Sequence, residues 1–266
     1  MARGKPGRAT PGSRGRARSA DVLERIGPAV TEAIEVWTRQ IPGSRQPRFG
    51  LDDLAAAAMR IADQEGIAAL SMRRLAGELG AGTMTLYHYV RTKGELLALV
   101  TDSVMGELIL PAEELATDWR SAMTALARRS KQALERHPWM FDIVEDPGLG
   151  PNGVRHFDQS IGAAAGLPGS LTDRLDLIST VDEFVFGYCM HNRQDKAHVE
   201  DGSHDEMITY MLHLIASGDY PHLAALLDAD GLDRAWQQVS DHHRDPDRFE
   251  RSLGRLLDGI EAGLRR

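Results

Sequence analysis

The chain has 266 residues, 42% of them hydrophobic and 26% charged, with 31 Lys and Arg against 39 Asp and Glu for a formal net charge of −8. That composition predicts a globular protein of one large or two modest domains, and the net acidity argues against diffuse coating of nucleic acid. Cys189 is the single cysteine, which excludes an intrachain disulfide and any Cys-rich metal site.

No apolar run reaches the ~18–20 residues of a membrane span. The basic start is not followed by the apolar stretch of a secretory signal, so a cytoplasmic location is expected. The charge is also uneven. Residues 1–20 hold six basic side chains and no acid, and residues 1–48 hold ten basic and four acidic. An average that hides a basic arm on an acidic body has to be read locally.

Residues 1–20, rich in Gly, Arg, Pro and Ser, cannot bury enough apolar surface to offset their ordering entropy and read as a disordered arm. The arm either enters a minor groove beside a bound site or serves as a solubilising tail. Val22, Ile26, Val30, Ala33, Ile34 and Trp37 recur at helical spacing, so 21–40 reads as a short amphipathic helix, followed by a linker over 41–48.

From Phe49 onward nearly everything reads as helix. Leu54, Ala58, Ile61 and Ala62 share one face of a helix over Leu51–Glu65 that Gly66 caps. Ser71 caps a short helix over Met72–Leu79, stopped by Gly80, and a third runs from Thr83 to about Val90. Thr92-Lys93-Gly94-Glu95 is a capping box opening a fourth helix to about Leu110, before Pro111. Longer helices are expected over 118–136, 153–165, 171–194, 204–216, 221–227 and 247–264, with a short one at 139–145 and a polar loop at 195–203. No strand pattern and no internal repeat occurs.

Ser71–Val90 has helix, Gly-containing turn, helix spacing, the arrangement that sends a second helix into the DNA major groove. Residues 71–93 hold four basic side chains and one acid, although 49–110 as a whole is net acidic. Positive charge is therefore concentrated where a phosphate backbone would lie. The stretch LSMRRLAGELGAGTMTLYHYVRTKGELL, residues 70–97, preceded by ADQEG, resembles the tetracycline-repressor (TetR) family of bacterial regulators. DWRSAMTALARRSKQALERHPWM resembles, more loosely, the start of that family's ligand-binding domain.

The resemblance implies an all-α protein with an N-terminal three-helix helix-turn-helix domain and a larger C-terminal ligand-binding and dimerisation domain. The expected boundaries are 1–48, 49–110 and 111–266. It implies a homodimeric repressor of a palindromic operator, released by a small-molecule effector. On this reading Met72 and Arg73 lie on the positioning helix, Thr83, Met84 and Thr85 face the groove, Tyr87 and Tyr89 contact phosphates, and Lys93 offers an ammonium at a helix N-terminus. Dimerisation is expected through about 171–194 and 247–264, and the helix over 93–110 links effector pocket to reading head.

The effector pocket is expected among Trp139, Phe141, Phe157, Phe184, Tyr188, His191 and Asn192. Each is also an ordinary core candidate. Gly148-x-Gly150-x-x-Gly153 matches a dinucleotide fingerprint, but no strand precedes it and Pro151 interrupts it, so it reads as a loop. The ten histidines form no compact metal signature, and no nucleophile–base arrangement stands out, so no cofactor, no metal and no enzymatic activity are expected. Two other readings fit the pattern: a DNA-binding protein of architectural or activator type without an effector, and an all-α enzyme or carrier that has lost DNA binding.

Overall fold

A computed structural model describes residues 35–39, 49–143, 149–200, 203–230, 238–239, 241–242 and 244–264. No strand occurs among the described residues. The chain divides into two compact units, one comprising Met1–Gly106 with Asp142–Val154, the other Glu107–Phe141 with Arg155–Arg266.

In the first unit, α1 spans Leu51–Glu65 and buries Leu54, Ala58, Ile61 and Ala62, as its spacing requires. Gly66, at φ 83°, ends it, and a single 3₁₀ turn over Ile67–Ala69 leads on. Helix α2, Met72–Glu78, starts on Ser71, whose Oγ accepts from the Arg74 amide at 3.2 Å. Helix α3, Thr83–Leu86, is one turn long, and residues 87–89 form a turn where the sequence suggested helix to Val90. Helix α4 spans Lys93–Glu107. Leu75, Leu86, Val90, Leu96 and Val100 are fully buried and close this core.

Of the expected 21–40 helix, only 35–39 is described, with 35–38 helical; the rest of it, and the 1–20 arm, lie outside the described residues. Val36 is buried in the first unit.

In the second unit, α5 spans Trp119–Arg136 with Asp118 as its cap, the Asp118 carboxylate accepting from the Ser121 amide at 2.9 Å. A 3₁₀ turn covers Pro138–Asp142. Helix α6 is Pro151–Ala164, α7 Leu171–Glu200, α8 Ser203–Ile215, α9 Pro221–Asp230 and α10 Arg248–Leu264. Helix α7 runs through part of the segment expected as a polar loop. Local polarity there does not prevent helix, because Gln, Asp, Lys, Ala and His tolerate it and no Pro or Gly intervenes before Gly202. The core gathers Met123 and Leu126 of α5, Leu177, Val181 and Val185 of α7, and Phe249, Leu253 and Leu257 of α10. Helix α7 packs against α5, α8 and α10, which is why it is apolar on more than one side.

Candidate functional site

The turn between α2 and α3 is set by Gly80. Its φ of 57° is left-handed, and the amides of Gly80 and Ala81 donate to the carbonyls of Gly77 and Ala76 at 3.3 and 2.9 Å. These two bonds form a Schellman closure, which satisfies carbonyls at the end of α2 and reverses the chain. Gly82 then caps α3, its carbonyl accepting from the Thr85 amide at 2.9 Å. Leu86 and Val90 anchor the segment inward.

What remains outside is a short polar and apolar face. Met84 is 76% exposed and Tyr87 41%, with Thr85 and His88 exposed beside them and Thr83 half-buried. On α2, Arg73 is exposed and Met72 half-buried. Tyr89, expected at a phosphate, differs from these. It is only 6% exposed, because the turn after Leu86 faces residues 87 and 88 outward and 89 and 90 inward, and that burial speaks against a phosphate contact.

The structure also redistributes the positive charge. Arg74 donates to Glu65 at 2.9 and 2.6 Å and to Glu78 at 3.0 Å. Its charge is spent internally, and the Glu78 carboxyl is held below its usual range by Arg74 first and by Arg60 second. Arg73, Arg91 and Lys93 are exposed, and no side-chain ion pair among the described residues involves them. Arg91 is an exposed cation that the sequence reading counted but did not single out. Its charge was visible there, but its exposure two residues before Lys93 was not.

Thr92 Oγ1 accepts from the Glu95 amide at 3.0 Å, the first half of the expected capping box. The second half differs: the Glu95 carboxylate accepts from the amide of Arg91, at 2.8 Å. The glycine-rich stretch also has a structural role. Gly150 precedes α6, whose first-turn amides of Asn152 and Gly153 both donate to Asp102 Oδ1 at 3.0 Å. Gly153 is therefore helical, and the anion held at this helix start is the chain's own buried carboxylate.

In the second unit, the structure brings Phe184, Tyr188 and Phe249 together, with ring centroids 5.1 to 6.0 Å apart. Arg248 lies over the Tyr188 ring at 4.8 Å, and its Nη2 donates to Asn192 Oδ1 at 2.6 Å. Phe141 packs on Phe186 at 4.8 Å. Trp139 is only 3% exposed and stands edge-on to His137, which makes it a core residue. Phe157 is 45% exposed and projects to solvent, as does His191. Arg248 and Phe186 were not singled out as effector candidates from sequence; both become visible only when α10 and the 138–142 turn are placed against α7. Among the described residues no group of His, Cys, Asp or Glu is arranged to hold a metal ion, and no helix is long and apolar enough to cross a membrane.

An exposed recognition turn, a Schellman-closed corner and a cationic rim define a helix-turn-helix DNA-binding protein. Residues 54–100 match the family model described as bacterial regulatory proteins of the tetR family, and residues 110–264 match the tetracyclin repressor-like C-terminal domain. The chain belongs to the TetR family of transcriptional regulators, and it is a regulator, not an enzyme.

It is 35% identical over 227 residues to the HTH-type transcriptional repressor DrrR1 of Streptomyces coeruleorubidus, covering 82% of this chain and 79% of that protein. An HTH-type transcriptional regulator of Saccharopolyspora erythraea is 33% identical over 230 residues, covering 85% and 91%. Among solved structures, ActR of Streptomyces coelicolor in complex with actinorhodin is 28% identical with a TM-score of 0.63, covering 82% of this chain and 98% of that one.

Proposed function

We propose that the protein is a homodimeric repressor that binds a palindromic operator and leaves it when a small molecule occupies the C-terminal unit. Residues 49–110 serve as the DNA-binding region and 111–266 as the effector and dimerisation region. The observation that carries the DNA reading is the exposed set Met84, Thr85 and Tyr87, flanked by Arg73, Arg91 and Lys93. Thr83, Met84 and Thr85 read base edges, while Tyr87, Arg91 and Lys93 hold phosphates. A cytoplasmic location follows from that role.

For the effector, the cluster of Phe184, Tyr188 and Phe249 with Arg248 at its edge supports a flat aromatic molecule carrying an acceptor oxygen. ActR, crystallised with actinorhodin, lends the same direction. An effector that favours one arrangement of the second unit lowers operator affinity by linkage.

The test is footprinting on the promoters beside the protein's own gene, followed by a screen of aromatic compounds for release of the complex. Protection of one or more two-fold symmetric sites, lost on adding a compound, is expected. Binding that no compound relieves would remove the effector half of the proposal, and absence of any protected site would remove the operator half.

A further inference from the structure

Residues 35–39 lie outside the part of the chain that the family models match, yet they are built into the first unit. Val36 is buried there. The Arg39 side chain is mostly enclosed, and its guanidinium forks onto Glu95, with Nη1 donating to Oε2 at 3.0 Å and Nη2 to Oε1. The same Nη1 donates to the Tyr89 carbonyl at 3.3 Å, and Nη2 to Glu35, one helical turn earlier, at 3.2 Å.

Glu95 is only 1% exposed, and Arg39 supplies the cation that a carboxylate so placed requires. Since Glu95 also accepts from the Arg91 amide, Arg39 grips the loop Tyr89–Thr92 at two points: directly at the Tyr89 carbonyl and through Glu95 at Arg91. Tyr87 and His88 precede that loop, Arg91 lies within it and Lys93 follows it directly. Trp37, two residues from Arg39, packs at Gly150, where an added Cβ would come within 2.6 Å of its ring and closer still to Asp102.

We infer that residues 35–39 are a strap of the DNA-reading unit and that Arg39 is a positioning residue for operator binding: it touches no DNA but sets where Arg91 and Lys93 meet the phosphates. The inference rests on the operator reading above. A displaced cationic loop makes fewer phosphate contacts, so the number of counterions released on binding falls with it.

The experiment compares the full chain with its Arg39→Ala and Arg39→Gln variants by two measurements. Hydrogen–deuterium exchange of the segment 89–96, without DNA, is expected to accelerate in both variants while α1 and α5 keep their protection. Operator titration across a salt series is expected to show affinity down by about tenfold, the scale of one or two lost charge-assisted hydrogen bonds, and a slope shallower by about one to two.

The slope is the deciding readout, since a variant that merely contains less folded protein binds with an unchanged slope. Unchanged exchange in 89–96 overturns the strap. Faster exchange with an unchanged slope overturns the positioning role. If the wild-type chain binds no promoter DNA while the variants exchange faster, the operator reading fails, and the role in DNA binding fails with it, leaving only a structural brace.

Discussion

At the scale of single residues, two positions carry consequences that their chemistry makes measurable. Gly80 sits at φ 57°, and an added Cβ there would meet nothing within 4 Å. The penalty for a side chain is backbone strain alone. Gly80→Ala should therefore destabilise the protein by about 1–2 kcal/mol, read as a lower urea midpoint with an unchanged slope.

His156 is buried, its Nδ1 has no hydrogen-bond partner, and desolvation lowers its pKa below the usual value. The folded protein therefore holds His156 neutral, whereas the unfolded chain takes up a proton below about pH 6.5. Its contribution to stability is present above that pH and lost as pH falls through the window below it. Urea midpoints measured at fixed protein concentration should drop between pH 7.5 and 5.5, and His156→Leu should show a shallower drop. An equal pH dependence in the two proteins would count against the burial of a neutral imidazole.

At the scale of elements, the recognition helix is a single turn, and its position depends on what flanks it. Closure at Gly80 fixes its start, Leu86 pins its end, and the Arg39–Glu95 pair secures the loop beyond it. Division of labour follows from geometry. Lys93→Ala removes the proposed phosphate contact at the start of α4, so operator and non-operator DNA should both bind more weakly, with a salt slope lower by about one. Thr85→Ala removes an exposed group from the recognition turn and should relax base preference at one position of each half-site, costing about 1–3 kcal/mol against the best sequence. Competition titrations with single-base variants of the operator separate the two. An identical profile for both variants would reject this assignment of roles.

At the scale of the whole molecule, the single subunit leaves Phe186 and Met190 of α7 exposed, and on α10 Gly259 and Gly263 open onto empty space. A proposed pairing of these helices with a second copy covers both features and lets the two backbones approach closely. Gly259→Arg tests it cleanly. The substitution removes a helix-weakening glycine and meets nothing inside the subunit, so folding should be intact. Sedimentation should nonetheless show monomers, and operator affinity should fall by at least about tenfold because two linked half-site contacts become one. A dimer that tolerates Gly259→Arg would place the interface elsewhere.

The sequence by itself determined the all-helical class, the cap on Ser71, the Gly80 turn and the core stripe of α1, because these depend on neighbours within a turn or two of helix. It also located the DNA-reading motif, whose residue types and spacing carry the signal locally. Only the tertiary structure decided which of those residues are available. Arg74 is consumed by Glu65 and Glu78, Tyr89 is turned inward, and Arg91 is left exposed. It alone showed Asp102 capping a helix some fifty residues away, Arg39 reaching Glu95, and Arg248 meeting Tyr188. The reason is the same in each case: a charged or aromatic side chain takes its role from a partner distant in sequence, and helical periodicity carries no information about which distant partner that is.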